Sequence, residues 1–322
     1  MTAARKHLTR DDLAPLARAA TGRALAAVTR LRGGSKKGAY RLALDDDTTA
    51  VAYVWSPDED YWDTAPPDLR DPFSHGTGFD LFTAAYDRLT AAGVRTPRLL
   101  YAGDGQVVVE DMAGGSLEEA LHRDPATARA SLDLLAAQLG QLHAHEGPTF
   151  GKVVLVDNGG TPSAGSCEQR VTEGALRDIE EIAVRDPRAA EAREQLTDAV
   201  RALASAVRPR TRYSLIHGEL GPDHVLLTPD GHPALIDIEG LLYFDVEWEH
   251  VFLRLRFQRH YEVLRVPDLD EDRLRLYRLA MHLSLVAGPL RLLVGDFPDR
   301  VRFRDIAEHN LRQALSLLTA SS

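Results

Sequence analysis

The segment running from Ser214 to Gly240 constrains this chain more than any other. It reads Ser214-Leu-Ile-His217-Gly-Glu219-Leu-Gly-Pro-Asp223-His224-Val-Leu-Leu-Thr228, turns at Pro229-Asp230-Gly231, and returns as Pro233-Ala-Leu-Ile-Asp237-Ile-Glu239-Gly240. Two short apolar, β-favouring runs separated by an Asp-Gly pair are a strong hairpin signal. With Asp230 and Gly231 as the two loop residues, Pro229 faces His232 and His224 faces Asp237. Directly opposed residues lie roughly 5 Å apart, so the hairpin is expected to bring an imidazole and a carboxylate together at its open end, with Glu219 arriving from the preceding loop. Packing alone does not call for three such groups at one hairpin mouth.

The segment resembles the catalytic region of the aminoglycoside phosphotransferase and choline kinase-like families, relatives of the protein kinases. Their loop reads His-Gly-Asp-x-x-x-x-Asn and is followed by a hairpin and an Ile-Asp-Trp/Phe-Glu signature. Here His217, Gly218, Asp237 and Glu239 match, while Glu219 stands at the Asp position and His224 at the Asn position. The resemblance implies that Glu219 orients the acceptor hydroxyl with Asp223 as a fallback base, and that His217 braces the loop. It also implies that Asp237, aided by His224 and Glu239, holds a divalent metal on the phosphates of ATP or GTP. Magnesium prefers hard oxygen ligands, and a histidine at position 224 admits manganese as well.

Upstream, the order of elements agrees with a two-lobed, kinase-like α+β fold. A helix is expected from Thr9 to about Ala20, capped by Thr9 with Asp11 and Asp12 in its first turn. Strands follow over Ala27–Leu31, Ala39–Leu44 and Thr49–Trp55, then a helix over Phe79–Ala92 and a hairpin over Pro97–Tyr101 and Gln106–Glu110. The lobe boundary is placed at the Met112-Ala-Gly-Gly break, giving a nucleotide-binding lobe over residues 1–112 and a helical lobe over 113–322. In that second lobe helices are expected over Ala126–His145, Cys167–Val207, Val246–Tyr261, Glu271–Leu293 and Phe303–Leu318, with Asp245 as the N-cap of the third.

Between the first two strands lies Gly33-Gly34-Ser35-Lys36-Lys37-Gly38, whose small residues let backbone N–H groups approach phosphate oxygens. By the resemblance this loop covers the nucleotide, and Glu110, Asp111 and Met112 form the hinge against the base. The strand Thr49–Trp55 lacks the lysine these families use on the phosphates, and the helix Phe79–Ala92 lacks its glutamate partner. Lysine occurs only at positions 6, 36, 37 and 152, so Lys36 or Lys37 is the best replacement, followed by Arg41.

Composition narrows the partners. A formal charge of -10 over 322 residues argues against nucleic acid, and a cationic small molecule is electrostatically tolerated. Acidic runs such as Asp58-Glu59-Asp60 are expected in solvated loops, and His143, His145 and His260 on helix surfaces. No apolar run approaches the roughly 20 residues that span a bilayer, and Met1–Arg10 lacks the apolar core of a signal peptide, so the expected compartment is the cytoplasm. A lone Cys167 excludes an intrachain disulfide and a thiolate zinc cage. The reading is a phosphotransferase acting on a hydroxyl of a small molecule. The alternatives are a pseudokinase that binds a partner or a ligand without catalysis, and a modifier of peptide Ser or Thr in natural-product maturation.

Overall fold

The computed structural model describes residues 5–62, 68–74 and 77–319. In chain order the elements begin α1 (Arg10–Thr21), β1 (Leu25–Arg30), β2 (Gly38–Leu44), β3 (Thr49–Val54), α2 (Phe79–Ala91), β4 (Leu99–Gly103), β5 (Gln106–Glu110), α3 (Leu117–Arg123) and α4 (Arg129–His143). They continue β6 (Glu146–Gly147), β7 (Gly151–Lys152), α5 (Val153–Val156), α6 (Cys167–Arg185), α7 (Pro187–Ala206), β8 (Tyr213–Ile216), β9 (Val225–Leu227) and β10 (Pro233–Leu235). The chain closes with β11 (Leu242–Phe244), α8 (Val246–Phe257), α9 (Glu271–Val294) and α10 (Arg300–Thr319). An antiparallel N-terminal sheet followed by a helical C-terminal part is the expected α+β plan.

The described residues group into two compact units. The first takes Met1–Pro67, His75–Leu142 and Pro222–Gly240, and the second takes Asp68–Ser74, His143–Gly221 and Leu241–Ser322. Residues 113–142 and the β9–β10 hairpin, expected with the helical lobe, therefore join the sheet unit. Backbone pairing explains it: Gly114 N donates to Leu227 O at 3.0 Å and Leu227 N donates to Gly115 O at 2.8 Å. A Cβ at Gly114 would lie 2.4 Å from Leu227 O, so only glycine lets the two backbones approach this closely.

In the first unit the strands run in the order β1-β2-β3-β5-β4, antiparallel throughout. Strand β2 alternates inward and outward, burying Gly38, Tyr40, Leu42 and Leu44, as a period of two requires. Helix α1 opens on a Thr9–Asp12 capping box, closes on Gly22 with φ 72°, and lays Leu13, Leu16 and Ala17 on Tyr40, Leu42, Ala52 and Val108. Strand β3 is buried along nearly its whole length, because the rings of Tyr53 and Phe82 of α2 meet at 5.8 Å between centroids on the opposite face.

The second unit packs α6, α7, α9 and α10 around a core that includes Ile179, Val200, Tyr277, Leu283 and Leu311. A small sheet ordered β6-β8-β11-β7 lies in the same unit, and its two- to four-residue strands left too little periodicity to be seen in the sequence. The continuous helix expected over 167–207 is two helices. Pro187 cannot donate to a preceding turn, and the Asp186 side chain caps the new helix through Arg188 N, so the chain restarts there.

The hairpin register differs by one residue from the sequence expectation. Pro233 pairs with Leu227, Ala234 with Leu226 and Leu235 with Val225, which leaves Pro229, Asp230 and Gly231 as a three-residue loop. Gly231 adopts φ 83°, and Thr228 N donates to His232 O at 3.0 Å. A left-handed third residue makes this three-residue loop as regular as the expected two-residue one. His224 therefore opposes Ile236, whose N donates to His224 O at 3.0 Å.

Candidate active site

Asp237 leaves β10 with φ 59°, a left-handed conformation that Asp tolerates better than most residues. The following 3-10 turn, Ile238–Gly240, carries Glu239. From the other end of the unit, Lys37 places its Nζ 2.8 Å from Asp237 Oδ1 and 2.5 Å from Glu239 Oε1. Residues 200 positions apart thus build one cluster, with two carboxylates converging on a single cation. Lys37 and Glu239 are buried, while the side chain of Asp237 stays 39% exposed. The Lys37 ammonium, seconded by His224, holds the Asp237 carboxyl far below its usual range against the opposing effect of burial. Burial pushes the Lys37 ammonium down, but Asp237 and Glu239 outweigh it and the group stays protonated above its ordinary value.

His224 ends a 3-10 turn, Pro222–His224. Its Nε2 lies 3.8 Å from Asp237 Oδ2 and 4.0 Å from Asp223 Oδ2. The imidazole and the carboxylate approach each other despite the shifted register.

Local sequence holds Lys37 in place. A Cβ at Gly34 would come within 2.5 Å of Lys37 O, and one at Gly38 within 2.6 Å of the Glu59 carboxyl carbon. Ser35 O accepts from Tyr61 N at 2.9 Å, Ser35 Oγ accepts from the Trp62 indole at 3.0 Å, and Lys36 O accepts from Thr77 Oγ1 at 3.0 Å. Glu59, in the acidic run expected to be solvated, is 1% exposed. Arg30 donates to it at 2.6 Å, His7 lies 3.2 Å away, and the Tyr40 hydroxyl donates to it as well. Nothing in the local sequence marks Glu59, whose partners come from the N-terminal segment and from β1 and β2.

The hinge and Arg41 are engaged with one another. Arg41 makes a two-pronged pair with Asp111 at 2.6 and 3.1 Å. Glu110 lies 3.4 Å from Arg95 and its N donates to Arg98 O at 2.9 Å, and Met112 is buried. Of Lys36, Lys37 and Arg41, Lys37 is the one that bridges Asp237 and Glu239.

In the second unit, His217 and Gly218 follow β8 and are buried, and Glu219 is exposed. Glu249 of α8 supports this turn: Gly218 N donates to its Oε2 at 2.6 Å. Burial, opposed by the Gly218 and His217 backbone, pushes the Glu249 carboxyl up to about 7. Asp245 sits at the start of α8 without making the expected capping bond. It accepts instead from Arg273 and Tyr277, while Arg273 also donates to Arg208 O at 2.5 Å and Arg210 clasps Glu247 at 2.8 and 2.9 Å. This buried charge network has no local sequence signature.

His143 is not a surface residue. Both of its ring nitrogens are buried without a hydrogen-bond partner, and its ring lies 5.7 Å from that of His250. Burial, followed by the neighbouring His250, lowers the His143 imidazole to about 3, and burial lowers His250 to about 4. Unfolded histidines titrate near 6.5 and glutamates near 4.3. Between those limits the unfolded chain gains two protons on these histidines while the folded chain keeps one on Glu249, a net difference of one. These three groups together lower stability by about 1.4 kcal/mol per unit as pH drops from about 6.5 to 4.5, and the buried His282, also held below its ordinary range, steepens the fall. Urea midpoints measured across that range should show the slope, and His143→Leu should make it shallower.

The sequence matches the phosphotransferase enzyme family over residues 69–282, well over half of the chain. The chain belongs to that family. Solved structures with the same fold include a thermostable mutant of an aminoglycoside phosphotransferase, 18% identical over 90% of this chain and 95% of that one, with a TM-score of 0.61. Spectinomycin phosphotransferase in complex with ADP and spectinomycin is 13% identical over 93% of each chain, with a TM-score of 0.65. Choline kinase from Streptococcus pneumoniae is 13% identical over 97% of each, with a TM-score of 0.62. Among curated proteins, none matches this sequence. The matched span includes His217, Gly218, Asp237 and Glu239. No helix among its described residues is long and apolar enough to cross a membrane.

Proposed function

We propose that this chain transfers the γ-phosphoryl group of ATP or GTP to a hydroxyl of a small molecule. The observation that carries the reading is the convergence of Asp237 and Glu239 on one cation position beside a glycine loop. Two carboxylates are the number that magnesium takes from a protein when phosphates and water fill its remaining positions. Asp237 and Glu239 would hold magnesium there, and the ion, when bound, supplies positive charge to the β- and γ-phosphates. His224, near Asp237 Oδ2, suits manganese as an alternative.

The chain's own groups supply the rest. Backbone N–H groups of Gly33–Gly38 receive phosphate oxygens, and Lys37 adds charge that other family members draw from a strand lysine. Glu219 orients the acceptor hydroxyl and accepts its proton, with Asp223 as the alternative base. Its arm is one methylene longer than that of aspartate, and phosphoryl transfer tolerates the change because positioning and charge stabilisation carry most of the catalysis. His217 and Glu249 hold the loop that presents Glu219. The Glu110–Met112 hinge faces the base.

A pseudokinase is the competing reading, and one observation favours it: the Lys37 ammonium already neutralises the two acids. The test is incubation with γ-labelled ATP or GTP and magnesium or manganese, against a panel of aminoglycosides, nucleosides, amino alcohols and sugars. Metal-dependent hydrolysis, or an acceptor gaining one phosphate, is the expected result. Absence of both, with no metal-dependent nucleotide binding, would favour the pseudokinase.

A further inference from the structure

Lys37 is held by more than its charge. Its Nζ bridges Asp237 and Glu239 at 2.8 and 2.5 Å and lies 5.2 Å from the centre of the Tyr53 ring. The other carboxylate oxygen of Glu239, Oε2, is buried with no hydrogen-bond partner. A buried carboxylate oxygen left unsatisfied costs free energy, so the pair is built to receive more positive charge than one ammonium delivers. A divalent ion and the ammonium also compete for the same oxygens, because like charges within a few ångströms repel strongly where water is scarce.

Resting on the phosphotransferase reading, we infer that Lys37 is a resident counter-ion that keeps divalent metal off Asp237 and Glu239 until nucleotide phosphates draw its ammonium away. Metal and nucleotide then bind with mutual dependence, each raising the affinity for the other by the same factor. The lysine works from the glycine loop, the segment that meets the phosphates, so one movement of Nζ both frees the carboxylates and neutralises the incoming anion.

The experiment measures manganese binding to the full chain by the electron paramagnetic resonance signal of free Mn2+. It also measures dialysis binding of the β,γ-imido analogue of ATP with and without Mn2+. Wild type is expected to bind Mn2+ alone with a Kd weaker than about 1 mM, and to bind the analogue more tightly when Mn2+ is present. Lys37→Met should bind Mn2+ alone at least about tenfold more tightly than wild type, whereas Lys37→Arg should resemble wild type. Wild type binding Mn2+ alone as tightly as Lys37→Met would overturn the inference while leaving the phosphotransferase reading intact, provided that Mn2+ still strengthens nucleotide binding. Should Mn2+ fail to strengthen nucleotide binding to wild type, the phosphotransferase reading falls, and the inference with it. If Lys37→Met does not fold, the wild-type titration decides: a Kd tighter than about 1 mM without nucleotide refutes the counter-ion role.

Discussion

Asp237→Asn is expected to lower metal-dependent phosphoryl transfer by at least about a thousandfold, or about 4 kcal/mol of transition-state stabilisation. Asparagine keeps the volume and tolerates the φ of 59° at this position, so the backbone turn should survive. Lys37 keeps its contact with Glu239 at 2.5 Å, so the folded protein does not acquire an uncompensated buried cation. What disappears is one of the two carboxylates proposed to hold the metal, and the loss should appear in kcat more than in KM for the acceptor. Single-turnover rates with γ-labelled ATP, alongside thermal melting to confirm folding, provide the measurement. A variant that folds and retains a tenth or more of wild-type turnover would remove Asp237 from the catalytic machinery.

Arg273→Met is expected to destabilise the second unit by about 3–5 kcal/mol, the usual consequence of removing one partner from a buried ion pair. Arg273 is fully buried, and its guanidinium meets Asp245, the Tyr277 hydroxyl and Arg208 O. Without it, Asp245 is left with a proton-donating tyrosine and a distant Arg210 at 3.8 Å. Burial already raises the Asp245 carboxyl against the pull of Arg273, so the orphaned acid would take up a proton and the loss would shrink at low pH. The double variant Arg273→Met, Asp245→Asn should recover part of the stability, since neither charge then remains. Urea denaturation of the three proteins reads this out, and a single-variant loss below about 1 kcal/mol would show that the network is solvated in solution.

The segment from Ser214 to Gly240 was legible because its residues carry chemistry that local structure cannot use. A His-Gly-Glu loop, an Asp-Gly hairpin and an Ile-Asp-x-Glu exit are contiguous in the chain, and their order alone indicates the family. The strands of the N-terminal sheet were equally legible, since β2 alternates with a period of two and β3 is an apolar run. Scarcity narrowed the candidate cations: Lys36 and Lys37 share the glycine loop, and the sequence could not choose between them or exclude Arg41. The hairpin register was misjudged by one residue because Pro229 can belong to the strand or to the loop, and composition does not separate the two.

What stayed hidden shares a physical cause. Glu59 looked like a solvated acid among acids, but Arg30, Tyr40 and His7 reach it from three other parts of the chain. Asp245 looked like a helix cap, yet Arg273, distant in sequence, claims its side chain. His143 looked like a surface residue on α4, until α8 brings His250 beside it.

By itself the sequence determined the family, the sheet-then-helices order and the acids at the exit of the hairpin, because each depends on residues close together along the chain. Tertiary structure alone decided which lysine meets Asp237 and Glu239 and which charges are buried. Those outcomes depend on long-range contacts that set distance and solvent access, and neither is written in local spacing.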